Sequence, residues 1–135
     1  EPDYVIFGRV SGYCSGSHCI DLFKLTNNAL FEDTNDTYPV LTQAYDGNFV
    51  EKDSDTYRLA RNLSKNIPQS LFDARSGTIG TRPSGLIVAD GPVIFVEISL
   101  KGVVKQWFVL EGPVVIPPDL KPFTSLLENT IEALR

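Results

Sequence analysis

The chain has 135 residues, 42% hydrophobic and 21% charged, the composition of one globular domain and not of a disordered segment. A net charge of −5 repels phosphate backbones, so nucleic acid is not an expected partner. No apolar run approaches the ~20 residues that cross a bilayer, and a start at Glu1-Pro2-Asp3 in a chain without Met points either to processing, of which removal of a leader is one ordinary form, or to a start chosen by design.

Tyr4 to Val10 reads as the first strand, with Tyr4, Val5, Ile6, Phe7 and Val10 as its β-formers. Ser11-Gly12 ends it. Cys19 to Leu25 is the second strand, with Cys19, Asp21, Phe23 and Leu25 on one face and Ile20, Leu22 and Lys24 on the other. A short loop joins the two, so they pair as an antiparallel hairpin. Thr26-Asn27-Asn28 turns the chain into a third strand, Ala29 to Glu32. Residues 33–39 form a polar loop, 40–45 a short strand or extended segment, and Asp46-Gly47 a turn. Ser54 or Asp55 caps a helix over Thr56 to Asn66, with Leu59, Leu63 and Ile67 as its inner side. Pro68 stops that helix and opens a further turn, Gln69 to Asp73. Arg58, Arg61 and Lys65, the nearest approach to a basic cluster, form a solvated helix face.

Residues 74–85 carry three glycines and a proline and read as a long loop, a common place for function. Leu86 to Ala89 is a short strand, and Asp90-Gly91-Pro92 a turn. Val93 to Leu100 and Val103 to Leu110 flank Lys101-Gly102 and form a tight hairpin. Ile94, Val96, Ile98 and Leu100 then share a face with Val103, Trp107 and Val109, and only Lys105 breaks it. The other face, with Phe95, Glu97, Ser99, Val104, Gln106 and Phe108, is mixed and expected to be partly wet. Val114 to Pro118 is extended. Asp119 caps a last helix whose apolar stripe is Phe123, Leu126, Leu127, Thr130, Ile131 and Leu134. The expected fold is a single α+β domain over 1–135: an antiparallel sheet of about six strands in βββ-α-βββ-α order, with two helices on one face.

The stretch Gly12-Tyr13-Cys14-Ser15-Gly16-Ser17-His18-Cys19 holds both cysteines and the only histidine. Cys14 and Cys19 close a loop short enough for a disulfide across a hairpin, a pairing that fits an oxidising compartment. Their C-x4-C spacing leads into a strand and lacks the C-x-x-C at a helix start that redox pairs use. A metal site could use Cys14, His18 and Cys19, but His18 and Cys19 are adjacent and point to opposite sides of an extended chain. A Ser-His-Asp or Cys-His hydrolase would have to employ His18 as its base, and Gly-x-Ser-x-Gly is absent. The glycine-rich loop precedes a strand and so lacks the helix N-terminus of a phosphate loop. Glu97, on a strand face with Phe95 and Phe108, is the carboxylate of most interest for acid–base chemistry; the plain alternative is a solvated strand residue near the open end. Asp33, Asn35 and Thr37 imitate the start of a calcium loop, but Tyr38 and Ala44 stand where glycine and glutamate are needed, so a polar turn is expected. Asn35-Asp36-Thr37 and Asn62-Leu63-Ser64 are glycosylation triplets, the second inside the first expected helix.

The segment Gly-Tyr-Cys-Ser-Gly-Ser-His-Cys-Ile-Asp-Leu-Phe-Lys-Leu, the following Phe-Glu-Asp-Thr, the hairpin with Trp107 and the final Pro-Pro-Asp-Leu-Lys-Pro-Phe helix together resemble small secreted proteins of Bacteroidetes-type bacteria described as lipoproteins. The resemblance implies export and tethering through a lipidated cysteine upstream of Glu1, and it implies no activity and no catalytic residue.

The functional expectation is an exported, non-enzymatic binding or interaction module at the cell envelope, in the periplasm or on the cell surface. No cofactor or metal is expected. The partner would be a protein, peptide or glycan, met through the 14–19 and 74–85 loops, with the membrane involved only through a lipid anchor. The alternative is a hydrolase or metal-dependent enzyme with its site around His18.

Overall fold

Runs of β-branched and aromatic residues set the centre of the molecule. In this computed structural model, which describes residues 1–11, 19–82 and 93–135, they form the strands β1 (Tyr4–Val10), β2 (Ile20–Leu25), β3 (Leu30–Asp33), β4 (Phe49–Glu51), β5 (Gly77–Ile79), β6 (Val93–Leu100) and β7 (Val103–Leu110). The helices are α1 (Ser54–Ala60), α2 (Gln69–Asp73) and α3 (Lys121–Ala133). Among the described residues the strands make one seven-stranded sheet in the order β4-β3-β2-β1-β6-β7-β5. All neighbours are antiparallel except β5, which runs parallel to β7. The protein is an α+β fold.

β1 is the middle strand, with Phe7 opposite Phe23 of β2 and Val96 of β6. The β6–β7 hairpin has the register its alternation implies: Ile94 faces Val109, Val96 faces Trp107, Ile98 faces Lys105 and Leu100 faces Val103. Lys101 and Gly102 have φ of 51° and 81°, the two left-handed residues of a tight turn whose twist matches its strands. Gly8 is required for a different reason. A Cβ there would stand 1.9 Å from the Asp21 carbonyl oxygen, so β1 and β2 approach in a way that only glycine permits.

One face of the sheet packs under the helices. Val5, Phe7, Phe23, Leu25, Val96 and Trp107 meet Ala60 and Leu63, Leu71 of α2, and Phe123, Leu127 and Ile131 of α3. The α3 stripe falls as its spacing requires: Phe123, Leu127, Thr130 and Ile131 are buried, with Leu126 and Leu134 partly so. Pro122 lies in its first turn, where a missing N–H costs nothing, but Leu120 and not Asp119 is the capping residue.

Several expectations are corrected. The sheet is mixed and has seven strands among the described residues, and three helices replace two. The first helix is Ser54–Ala60, shorter than 56–66, and Asp53 caps it by accepting from the Thr56 N–H at 2.8 Å. Its inner residue is Ala60, while Leu59 is 53% exposed; the chain leaves the helix in turns that bring Leu63 inward. Asn62 therefore sits in a turn and not inside a helix. Residues 40–45 form no strand, and Phe49–Glu51 does. The expected 74–85 loop contains β5, whose three residues take up β7's outer edge. The Leu86–Ala89 strand, the turn after it and residues 83–85 lie outside the described residues, as do Cys14 and His18.

The second face of the sheet is also covered, by the β3–β4 connection over residues 34–48. Leu41 and Tyr45 from this connection, with Phe49, pack on Ile6, Leu22 and Phe95. The face expected to be partly wet is a second, smaller core.

Candidate functional site

Glu97 lies in the middle of that second core. It is fully buried, with 0% exposure. Three donors hold it. The Tyr4 hydroxyl donates to Oε2 at 2.6 Å; the Tyr45 backbone N–H and the Gln106 side-chain amide donate to Oε1 at 2.8 and 2.7 Å. Gln106 stands opposite Glu97 in the β6–β7 register, and its amide also donates to the Gln43 carbonyl at 2.6 Å. Burial and the Glu97 carboxylate together push the Tyr4 phenol well above its ordinary value. The reading of Glu97 as a solvated residue is thus corrected, and its carboxylate oxygens are engaged by the protein's own donors. This arrangement fastens the 34–48 connection to the sheet.

Asp33 does the same work at the other end of that connection. Its Oδ1 accepts from the Asn35 and Asn48 N–H groups at 3.1 and 2.9 Å, and Oδ2 accepts from the Asp36 N–H at 3.0 Å and from the Tyr45 hydroxyl. Burial is the first cause of the raised Tyr45 pKa, and the bond to Asp33 the second. The expected polar turn is present, organised by a buried carboxylate acting as an Asx-turn acceptor. Tyr45 links the two acids, with its backbone on Glu97 and its hydroxyl on Asp33.

An open cleft lies on the helical face, at the end of the sheet where Ser11 and Cys19 stand. Its volume is about 820 Å³. β1 supplies Arg9, and Cys19, Asp21 and Phe23 come from the β2 arm; Ile131, Glu132 and Leu134 at the end of α3 form the opposite wall. The half-buried Cys19 carries the β1–β2 ladder one step beyond β2, its carbonyl accepting from the Ser11 N–H at 2.8 Å.

Arg9 is the central charge of the cleft. Its Nε donates to Glu111 at 3.0 and 3.3 Å, one terminal nitrogen donates to the same carboxylate at 3.0 Å, and the other pairs with Glu132. The fork ties β1 to the end of β7 and to α3 at once, geometry suited to a guanidinium and not to an ammonium. Hydrogen bonding to Glu111 raises the Arg9 pKa, and hydrogen bonding to Arg9 lowers that of Glu132. Among the described residues, four carboxylates (Asp21, Glu32, Glu111 and Glu132) line the cleft against two guanidiniums, Arg9 and Arg135, so this lining is net acidic.

Residues 74–82 are bound to β7 instead of standing free. The Arg75 carbonyl accepts from Trp107 Nε1 at 2.7 Å, Ser76 Oγ accepts from the Gln106 N–H at 2.9 Å, and Arg82 donates to the Glu111 carbonyl at 3.3 Å. Of the residues singled out from sequence, Cys19 borders the cleft and Glu97 is far from it on the opposite face. Arg9, Glu111 and Glu132 were not anticipated. The signal for Arg9 was present, as the one charge in a seven-residue apolar strand. Among the described residues, no group of three or more His, Cys, Asp or Glu is placed to hold a metal ion. No helix there is long and apolar enough to cross a membrane. No known protein family, curated protein or solved structure matches this chain.

Proposed function

We propose that this protein is an exported binding module at the cell envelope, and that the cleft bordered by Ser11 and Cys19 receives an extended peptide segment of its partner. The cleft itself carries this reading: about 820 Å³, with apolar side chains on both sides, Phe23 on one and Ile131 and Leu134 on the other, in a net acidic lining. A space in the usual size range for ligands, part apolar and part charged, suits a peptide presenting one apolar and one basic side chain. Complete burial speaks against a catalytic carboxylate at Glu97, since its oxygens face the protein's own donors and no surface through which a substrate could reach them. A Cys14–Cys19 disulfide is part of the same proposal. It would close the hairpin at the cleft's rim and suits an oxidising location.

Selection of a displayed library of short random peptides on the immobilised protein tests the reading. Binders should combine an apolar with a basic residue and should lose at least about tenfold in affinity against Leu134→Arg, which places a like charge on the cleft wall. Binders indifferent to Leu134→Arg, or no binders at all, would overturn it.

A further inference from the structure

The helical face of the sheet runs out of cover at the β6–β7 turn. α2 ends with Phe72 against it, and beyond lies a second open groove of about 250 Å³. Ile98, Leu100, Val103 and Trp107 supply the apolar lining, and Lys101 and Lys105 the charges. This groove is at the opposite end of the sheet from the cleft, because Tyr4 of β1 pairs with Ser99 while Val10 pairs with Val93.

Lys105 is the one residue that interrupts the apolar row of the hairpin's inner face. It is half-buried opposite Ile98, and its ammonium donates to the Phe72 carbonyl at 2.6 Å. Among the described residues neither Lys105 nor Lys101 has a carboxylate within ion-pair distance. Asp3, beside the turn, is engaged by the Ser99 hydroxyl at 3.0 Å and the Gly102 N–H at 3.1 Å. An ammonium has three donors, and one neutral acceptor does not match its charge. In a chain of net charge −5, an apolar groove whose only charges among the described residues are two lysines is complementary to an anion with an apolar body.

We propose that this groove binds a straight-chain carboxylate of the fatty-acid class. The carboxylate pairs with Lys105 and Lys101, and the tail lies along Phe72, Leu100 and Val103, over the buried Trp107 and Ile98. The volume, about 250 Å³, lies just below the roughly 300–1,000 Å³ of drug-sized pockets and accommodates a medium-length chain.

Trp107 is the only tryptophan and lines the groove, so it reports occupancy directly. Titration of the whole chain with decanoate brominated on its tail should quench Trp107 saturably, and plain decanoate should reverse the quenching. Decanol should compete at least about tenfold less well, the weight of a charged hydrogen bond, and decyltrimethylammonium should not compete. Lys105→Gln should weaken decanoate by about tenfold and Lys105→Arg should retain it. Val103→Glu, at a position 60% exposed, adds a like charge at the rim without disturbing the core and should weaken binding comparably if Lys105→Gln fails to fold. Absence of saturable quenching, equal competition by decanol, or unchanged affinity in Val103→Glu would overturn the proposal.

Discussion

Glu97 is held by three donors from three separate parts of the chain, which makes it the residue whose removal the fold should feel most. In Glu97→Ala, Tyr4, Gln106 and the Tyr45 N–H each lose an acceptor inside the second core. Unsatisfied buried donors cost about 1–3 kcal/mol each, and partial relaxation limits the sum. Urea denaturation of Glu97→Ala should show a loss of about 3 kcal/mol; a loss under about 0.5 kcal/mol, the size of an ordinary surface substitution, would mean that Glu97 fastens nothing. The tyrosines define a pH dependence. Tyr4 and Tyr45 both have pKa values raised above the ordinary 10.0 in the folded state. Above that value the unfolded chain releases these protons while the folded chain keeps them, so stability falls as pH rises beyond about 10. Denaturation midpoints measured from pH 8 to 11 should decline at the alkaline end, and Tyr4→Phe should flatten part of that decline. An equal slope in Tyr4→Phe would remove Tyr4 as a source.

At the scale of elements, the pairing of β1 with β2 depends on two local features. Gly8 lets the strands approach where any side chain would strike the Asp21 backbone. Neither partner is the tip of a flexible side chain, so relief requires moving a strand. Gly8→Ala should cost about 3 kcal/mol, at the upper end of overpacking penalties, read from the denaturation midpoint of the purified variant; a stability equal to that of the parent would show that the strands separate freely there. The second feature is the proposed Cys14–Cys19 disulfide. A closed loop this short restricts the unfolded chain modestly, so reduction should lower stability by about 2 kcal/mol. Urea unfolding with and without reductant measures this, and indifference to reductant would remove the clasp.

For the whole molecule, the decisive feature is that both faces of the sheet are covered, one by helices and the other by the irregular 34–48 connection. A connection without regular structure can cover a core only if its polar backbone is anchored, and Asp33, Tyr45 and Glu97 supply the anchors. Asp33→Ala should release it. Limited proteolysis should then cut within 34–48 faster than in the parent, with increased binding of a hydrophobic dye to the bared second face. An unchanged cleavage pattern would show that apolar packing alone retains the connection.

Strands with clean alternation and the last helix were legible in the sequence, because their periodicity follows from burial of one side. Tyr4–Val10, the β6–β7 hairpin with its register, and the α3 stripe all fall where the pattern puts them. Short elements were not legible. Phe49–Glu51 and Gly77–Ile79 have three residues each, too few to show a period, and they are strands only because a sheet edge lies beside them. The site shows the same division. Composition and the cysteine pair set an expectation of where the protein resides and what it does not bind. Tertiary structure alone decided that Glu97 is buried, since its cover comes from residues about 50 positions earlier in the chain. It alone also brought Arg9, Glu111 and Glu132 together across more than 100 residues to line the cleft. Periodicity records which side of an element is buried; what buries it, and which distant charges meet there, depends on the order in which strands join the sheet.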